Sequence, residues 1–425
     1  MILAEALFSA AGGVLFQSIK KRSLEEQPMS NASIDANGYP IAFMTAKGRR
    51  CGVVSGQPGS SDTFLLEVRQ AGAHQKESVV QEGALGSSWR MASDEGVHLK
   101  GTDLAPFPLG YFNAGLQADL AGRIVKLAAA RGLALKALSM SLKNGYSLTG
   151  SFVQGTGVGV GEYCAVDVDL DIGAGRDDAA VLVRDAISAS PCFSMLTDHL
   201  DNTFALYVNG RRRAVTTLTA SAAADAADPY LKYAKLPAPL AGSDTLPDLV
   251  VKLPEKQPGQ PITAPVEGKV IREVTGSGEL IDASGLYRCK TGLNLPASSV
   301  FQYLADESKA DRAPSGLALA TAGIAYCYIT QICRYIEAQK LPIRGVRLVQ
   351  TSPYGIGEDG NGIGAPCDTH LFMNGEAPED GFETLMRVAA NTCYLHQTMI
   401  HQPRLMLIVR QRGETVWNNQ AMAAE

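Results

Sequence analysis

Apolar residues recur at steps of three and four in two widely separated stretches. Leu319, Ala322, Tyr326, Ile329, Cys333 and Ile336 form one stripe. Tyr111, Ala114, Ala118, Ala121, Val125 and Ala128 form the other. That period marks one face of a helix, and small residues within it allow close approach to a neighbour. A proline, Pro108 or Pro314, stands just before each stripe, as expected at a helix start. Elsewhere the period is two. Residues 165–172 alternate apolar positions with Asp167, Asp169 and Asp171, which predicts a strand with one wet and one buried face. The three aspartates read as solubilising rather than metal-binding. Residues 204–208 and 405–409 are apolar runs that predict buried strands.

These features come twice in the same order. Ala105-Pro106-Phe107-Pro108-Leu109 matches Ala313-Pro314-Ser315-Gly316-Leu317 at a separation of 208 residues. At that separation Ala114-Gly115 meets Ala322-Gly323, Ala130 meets Ala338, and Leu133 meets Leu341. Glycine-rich turns at Gly155-Thr156-Gly157 and Gly355-Ile356-Gly357 follow, then Cys164 and Cys367. Cys192 and Cys393 then end helix-like segments at residues 179–189 and 381–390. Each half reads as strands, long helix, strands, second helix and strand, an α+β unit. Between the halves, residues 221–265 hold eight of the 21 prolines. Proline fixes φ and lacks a backbone donor, so this stretch reads as a linker or strap rather than regular structure. The expected organisation is an N-terminal extension (1–34), a first domain (35–220), the linker (221–265) and a second domain (266–425), with the halves pairing as a pseudo-dimer within one chain.

Composition narrows the function. Hydrophobic residues make up 46% and charged residues 19%, enough apolar material for full cores. The net charge of −5 argues against a nucleic-acid binder, and Arg211-Arg212-Arg213 reads as a solvated strand end. Eight cysteines without a CxxC pair do not suit a secreted disulfide scaffold or a zinc site. The apolar N-terminus, residues 1–16, lacks a basic leading segment, contains Glu5 and is followed by Lys20-Lys21-Arg22. It reads as an amphipathic helix of a cytoplasmic protein, too short to span a bilayer. The GTGVGVG run at 155–161 has no following Walker lysine and precedes a strand, so it reads as a hairpin loop. Glu358-Asp359 in the second glycine-rich loop does not match calcium-loop spacing, and no HExxH occurs. His396 and His401, five apart, share no helical face well. No metal or cofactor is expected.

The second half also carries Ala313-Pro314-Ser315, Ala322-Gly323-Ile324-Ala325-Tyr326-Cys327 and Arg334-Tyr335-Ile336-Glu337. Cys393-Tyr394-Leu395-His396-Gln397-Thr398 follows, with Cys393 lying 66 residues after Cys327. This pattern resembles the OsmC/Ohr family of osmotically inducible and organic hydroperoxide resistance proteins, whose helix-start cysteine is followed at similar distance by CPVHRT. The resemblance implies an antiparallel sheet wrapped around two long helices, normally in an intertwined homodimer. It also implies thiol peroxidation, with Cys327 as peroxidatic thiol and Cys393 as resolving thiol. The pair would act on an organic hydroperoxide and be reset by a dithiol reductant such as a dihydrolipoyl protein. His396, three residues after Cys393, would share its face in a helix, where an imidazolium could stabilise a thiolate.

Some family features are missing. The upstream glutamate falls at Leu317 or Ala318, and at Leu109 or Gly110 in the first half. The arginine it orients has no motif here; Arg272, Arg288 and Arg312 are candidates. Tyr394 and Phe193 replace the proline after the second cysteine. In the first half Asp119 stands at the peroxidatic position and only Cys192 remains. Asp119 is therefore either solvent-facing or salt-bridged, or marks a repurposed site with Cys192 or His199 nearby. Cys51, Cys164, Cys289, Cys333 and Cys367 read as structural. Two further readings stand beside the peroxidase: a repurposed OsmC fold that binds or transforms a small apolar or aromatic molecule in the cleft between the halves, and an interaction scaffold.

Overall fold

The computed structural model describes residues 33–259 and 270–419. The expected N-terminal helix lies outside the described residues. The chain opens with β1 (Ala42–Ala46), α1 (Gly52–Ser55) and the meander β2 (Ser61–Gln70), β3 (Lys76–Gln81) and β4 (Ser88–Ser93). The long helix α2 (Pro108–Ala130) leads into the hairpin β5 (Leu135–Thr149) and β6 (Val158–Ile172). Then come α3 (Arg176–Ser188), α4 (Pro191–Thr197), β7 (Thr203–Val208) and β8 (Arg211–Arg213). A connecting stretch carries α5 (Tyr230–Tyr233) and β9 (Val250–Lys256). The same succession then returns as β10 (Arg272–Leu280), β11 (Leu286–Leu293), β12 (Ser299–Asp306) and α6 (Gly316–Gln339). It continues through β13 (Ile343–Ile356), β14 (Gly362–Gly364), β15 (Asp368–Gly375), α7 (Glu379–Thr392), α8 (Tyr394–His401), β16 (Arg404–Gln411) and β17 (Glu414–Asn418).

Neither half keeps its strands to itself. One sheet runs β1-β4-β3-β2-β13-β15-β7-β8, with β14 attached to β13. The other runs β17-β16-β6-β5-β10-β11-β12-β9. The first half's meander therefore pairs with the second half's hairpin through β2 and β13, and the reverse exchange joins β5 to β10. The expectation of a wholly antiparallel sheet is corrected at two joints, because β15 pairs β7 and β6 pairs β16 in parallel. Each parallel strand arrives after a two-helix connection, long enough to bring it alongside the other half's hairpin.

The helices start where local chemistry directs. Pro108 occupies the first turn of α2, where a missing N–H costs nothing. Ser315 caps α6 by accepting the Ala318 N–H at 3.2 Å. Both helices are buried nearly all round, so the predicted stripes were too narrow. α2 packs on β5, β10 and β11, α6 on β2, β3 and β13, and the helices pack on each other. Gly316–Gln339 is long and apolar enough to cross a membrane, and its most apolar stretch is wholly buried in the protein.

The helix contact is close because glycines line it. A Cβ on Gly323 would stand 2.7 Å from the Phe112 nitrogen and 3.0 Å from the Pro108 oxygen, both backbone atoms of the partner helix. Gly323→Ala is expected to destabilise the protein by about 1–3 kcal/mol despite alanine's better helix propensity. Urea unfolding measures it.

The first part of the proline-dense stretch, residues 221–233, is a strap across the first sheet. Ser221 donates to Asp368 (2.9 Å), Asp228 accepts from Arg347 (2.6 Å), and Tyr233 Oη donates to the Glu67 carbonyl (2.8 Å). The sequence expectation of no regular structure in the whole stretch is corrected by β9, which contains Pro254 yet pairs with β12. It is an edge strand, where a proline's missing donor can face away from the ladder. On the wet face of β6, Asp167 and Asp171 accept from Arg410 and Arg412 at 2.9 Å, and Asp169 accepts the Gly413 N–H.

Candidate functional site

Cys327 sits about three turns into α6, deeper than the first turns expected. Cys393 caps the start of α8, immediately after α7. The two residues are 2% and 0% exposed, and both thiols are free. The structure brings them together closely enough for the Cys327 sulfur to act on the Cys393 thiol. Burial first, and the Cys327 sulfur second, push the Cys393 thiol well above its ordinary range. The backbone N–H groups of His396 and Leu395 pull the other way. His396 Nδ1 lies 3.2 Å from Cys393 Sγ. Burial lowers this imidazole to about 4, so the imidazolium expected from sequence is corrected to a neutral ring.

Residues from distant parts of the chain complete the surroundings. Tyr146 of β5 is 2% exposed and interacts electrostatically with both sulfurs, while its hydroxyl has no hydrogen-bond partner. Its ring lies 5.5 Å from that of Tyr394. Arg272 of β10 pairs in register with Tyr146 and shares strand parity with the buried Val274, which turns it towards the helices. Arg334 lies two turns beyond Cys327 on α6 and interacts with Tyr394, Glu95, Arg272 and Cys327. Its guanidinium donates to Gln331 at 2.8 Å and stacks 4.5 Å from the Phe152 ring centroid. Phe152 belongs to the β5–β6 hairpin loop; of the run read from sequence as that loop, 155–157 lie in it and 158–161 are corrected to the start of β6. That loop is fastened over the site by Gln339 Nε2 donating to the Val153 carbonyl (2.7 Å).

A carboxylate, Glu95, comes to α6 from the first half's meander. It accepts from Thr330 Oγ1 at 2.7 Å and stands 3.6 Å from Lys76. Sequence reasoning missed Glu95, Arg334, Tyr146 and Phe152. One signal for the first was present: Asp94-Glu95 and Asp306-Glu307 close the corresponding meanders of the two halves.

The corresponding place in the first half is built differently. Asp119 of α2 faces Cys192 as Cys327 faces Cys393. Its carboxylate is 0% exposed, paired with Arg123 at 2.8 Å, and accepts from the Ser190 hydroxyl (2.5 Å) and the Cys192 N–H (3.3 Å). Arg123 also donates to the Val53 carbonyl at 2.8 Å. Burial, Asp119 and Glu307 hold the Cys192 thiol well above its ordinary range. His199 is exposed and bonds to the Ile400 carbonyl and Asp201, so it does not serve Asp119. Arg288 pairs with Glu279, and Arg312 with Asp306 and Asp282. Of the three candidate arginines, Arg272 is the one that interacts with Tyr394 and Arg334.

Among the described residues, no group of three His, Cys, Asp or Glu side chains could hold a metal ion. A groove of about 700 Å³ lies on the outer face of the second sheet, lined by Asp167, Glu279, Arg288, Lys290 and Arg410 among others. Neither cysteine of the pair lines it, nor do Asp119, Cys192 or His396, and its charges, that of Arg288 included, are largely paired with one another.

No family model matches the chain, and no curated protein does. Among solved structures, the chain is similar to an OsmC-like hydroperoxide resistance protein from Jannaschia sp. CCS1. The alignment has 17% identity, covers 33% of this chain and 94% of that one, and gives a TM-score of 0.23.

Proposed function

We propose that the chain is a thiol-dependent peroxidase in which two OsmC-type units, fused through the strap, form an internal pseudo-dimer with one competent site. The observation that carries this reading is the buried juxtaposition of Cys327 and Cys393. In the first step the Cys327 sulfur attacks an organic hydroperoxide. An S–O bond forms, the O–O bond breaks, and the alcohol leaves with a proton. In the second step Cys393 attacks the resulting sulfenic acid. An S–S bond forms, the S–O bond breaks and water leaves. A dithiol reductant then returns both thiols. The interaction of Arg334 with Cys327, and of Arg272 with Arg334, supports a role for positive charge in stabilising the departing alkoxide. The unpartnered Tyr146 hydroxyl supplies a donor for the same oxygen. The Asp119 half has its carboxylate fully engaged, which favours a structural role there over a second reactive site.

One equivalent of cumene hydroperoxide added to the reduced protein, followed by mapping of non-reduced peptides, tests the reading. A rapid Cys327–Cys393 bridge is expected; thiols that stay reduced or oxidise indiscriminately overturn it. Tyr146→Phe should slow the peroxide step about tenfold, the loss of one donor, without lowering the unfolding midpoint, since the hydroxyl removed has no partner.

A further inference from the structure

The second step leaves a chemical difficulty inside the protein. Cys393 must surrender a proton while buried, beside a sulfur that is itself becoming electrophilic. In the reduced pair Cys393 Sγ lies 3.2 Å from His396 Nδ1 and has the Cys327 sulfur as an electrostatic neighbour. Once Cys327 is oxidised, its sulfur is the atom under attack, and His396 is the nitrogen base that remains in contact.

We infer that His396 is the base that takes the Cys393 proton as the disulfide forms, an inference that rests on the peroxidase reading. The 3.2 Å contact to the attacking sulfur places Nδ1 for the transfer. The ring is fixed by aromatic neighbours, with the Tyr328 centroid at 5.1 Å and the Phe204 centroid at 5.6 Å. Nε2 is buried without a partner, so no carboxylate holds the ring as an imidazolium. The N–H groups of Leu395 and His396, at the start of α8, receive the negative charge as it forms on Cys393. The proton balance closes: the S–H proton passes to Nδ1, the hydroxyl departs from Cys327, and the proton leaves with it as water.

Two measurements test the assignment. In His396→Asn the amide retains polar contact but is no base. Its Cys327 sulfenate, trapped with dimedone, should form as fast as in the native chain and then accumulate, with bridging slowed about a hundredfold. In the native chain, bridging of preformed sulfenate should be flat between about pH 5 and 8, because the ring is neutral above about 4. Attack by a freely ionised thiolate would instead rise about tenfold per pH unit over that range. The titratable groups facing His396 are Cys393 on its own segment and Tyr328 on α6, which keeps its proton well past neutrality. Bridging at native speed in His396→Asn, or a tenfold rise per pH unit in the native chain, overturns the inference. If His396→Asn does not fold, the native pH profile decides alone. A native chain that forms neither sulfenate nor bridge overturns the peroxidase reading and the inference with it.

Discussion

Cys327→Ser is expected to abolish hydroperoxide reduction, with turnover below detection and no disulfide in any peptide map. Peroxide cleavage needs a polarisable sulfur nucleophile that can carry oxygen as a sulfenic acid, and a serine hydroxyl does neither. No other thiol can substitute. Cys333 shares the helix but is buried, with its thiol pushed up to about 12, and Cys192 faces a carboxylate rather than a sulfur. Cys393→Ser should behave differently. It should consume one equivalent of hydroperoxide, stop at the sulfenic acid and fail to recycle with a dithiol. Cys192→Ala should turn over normally. Peroxide consumption together with peptide mapping separates the three. Normal turnover in Cys327→Ser would remove the site from the mechanism.

Asp119→Asn should produce the largest loss of stability. The amide keeps the shape but not the charge, and it leaves Arg123, 2% exposed, without its carboxylate. Breaking a buried pair by removing one partner costs about 3–5 kcal/mol. Removing both charges, as in Asp119→Leu with Arg123→Met, should recover much of that loss. Urea unfolding measures the stability. Peptide mapping at low denaturant should still find the Cys327–Cys393 bridge in whatever fraction stays folded. Unchanged stability with a dead peroxide reaction would instead make Asp119 part of the chemistry.

The two long helices and the cysteine spacing were legible because they are local patterns. Period and separation placed Cys327 on one helix and Cys393 at the end of another, where the structure has it closing α7 and opening α8. The rest of the site was hidden by the strand exchange. Tyr146 and Phe152 come from a hairpin more than 170 residues before Cys327, and Glu95 comes from a different meander again. No window along the sequence contains them together. Arg334 was noted only as part of the helix motif and not among the candidate arginines, because sequence does not show which way it faces on the helix it shares with Cys327. The charge on His396 was misjudged because sequence spacing reports a shared face and not the dielectric around it. Pro254 was misread because proline argues against a strand only where both edges are paired.

The exchanged strands have a consequence for dilution. In an assembly of separate chains, a contact such as that between β2 and β13 forms only at concentrations above its dissociation constant, and the melting temperature rises with the amount of protein. Here both partners lie on one covalent strand, so their encounter is unimolecular and its effective concentration is set by the strap. The pairing of the halves, and with it the wall that Tyr146 gives the cysteine site, should persist unchanged from nanomolar to millimolar protein.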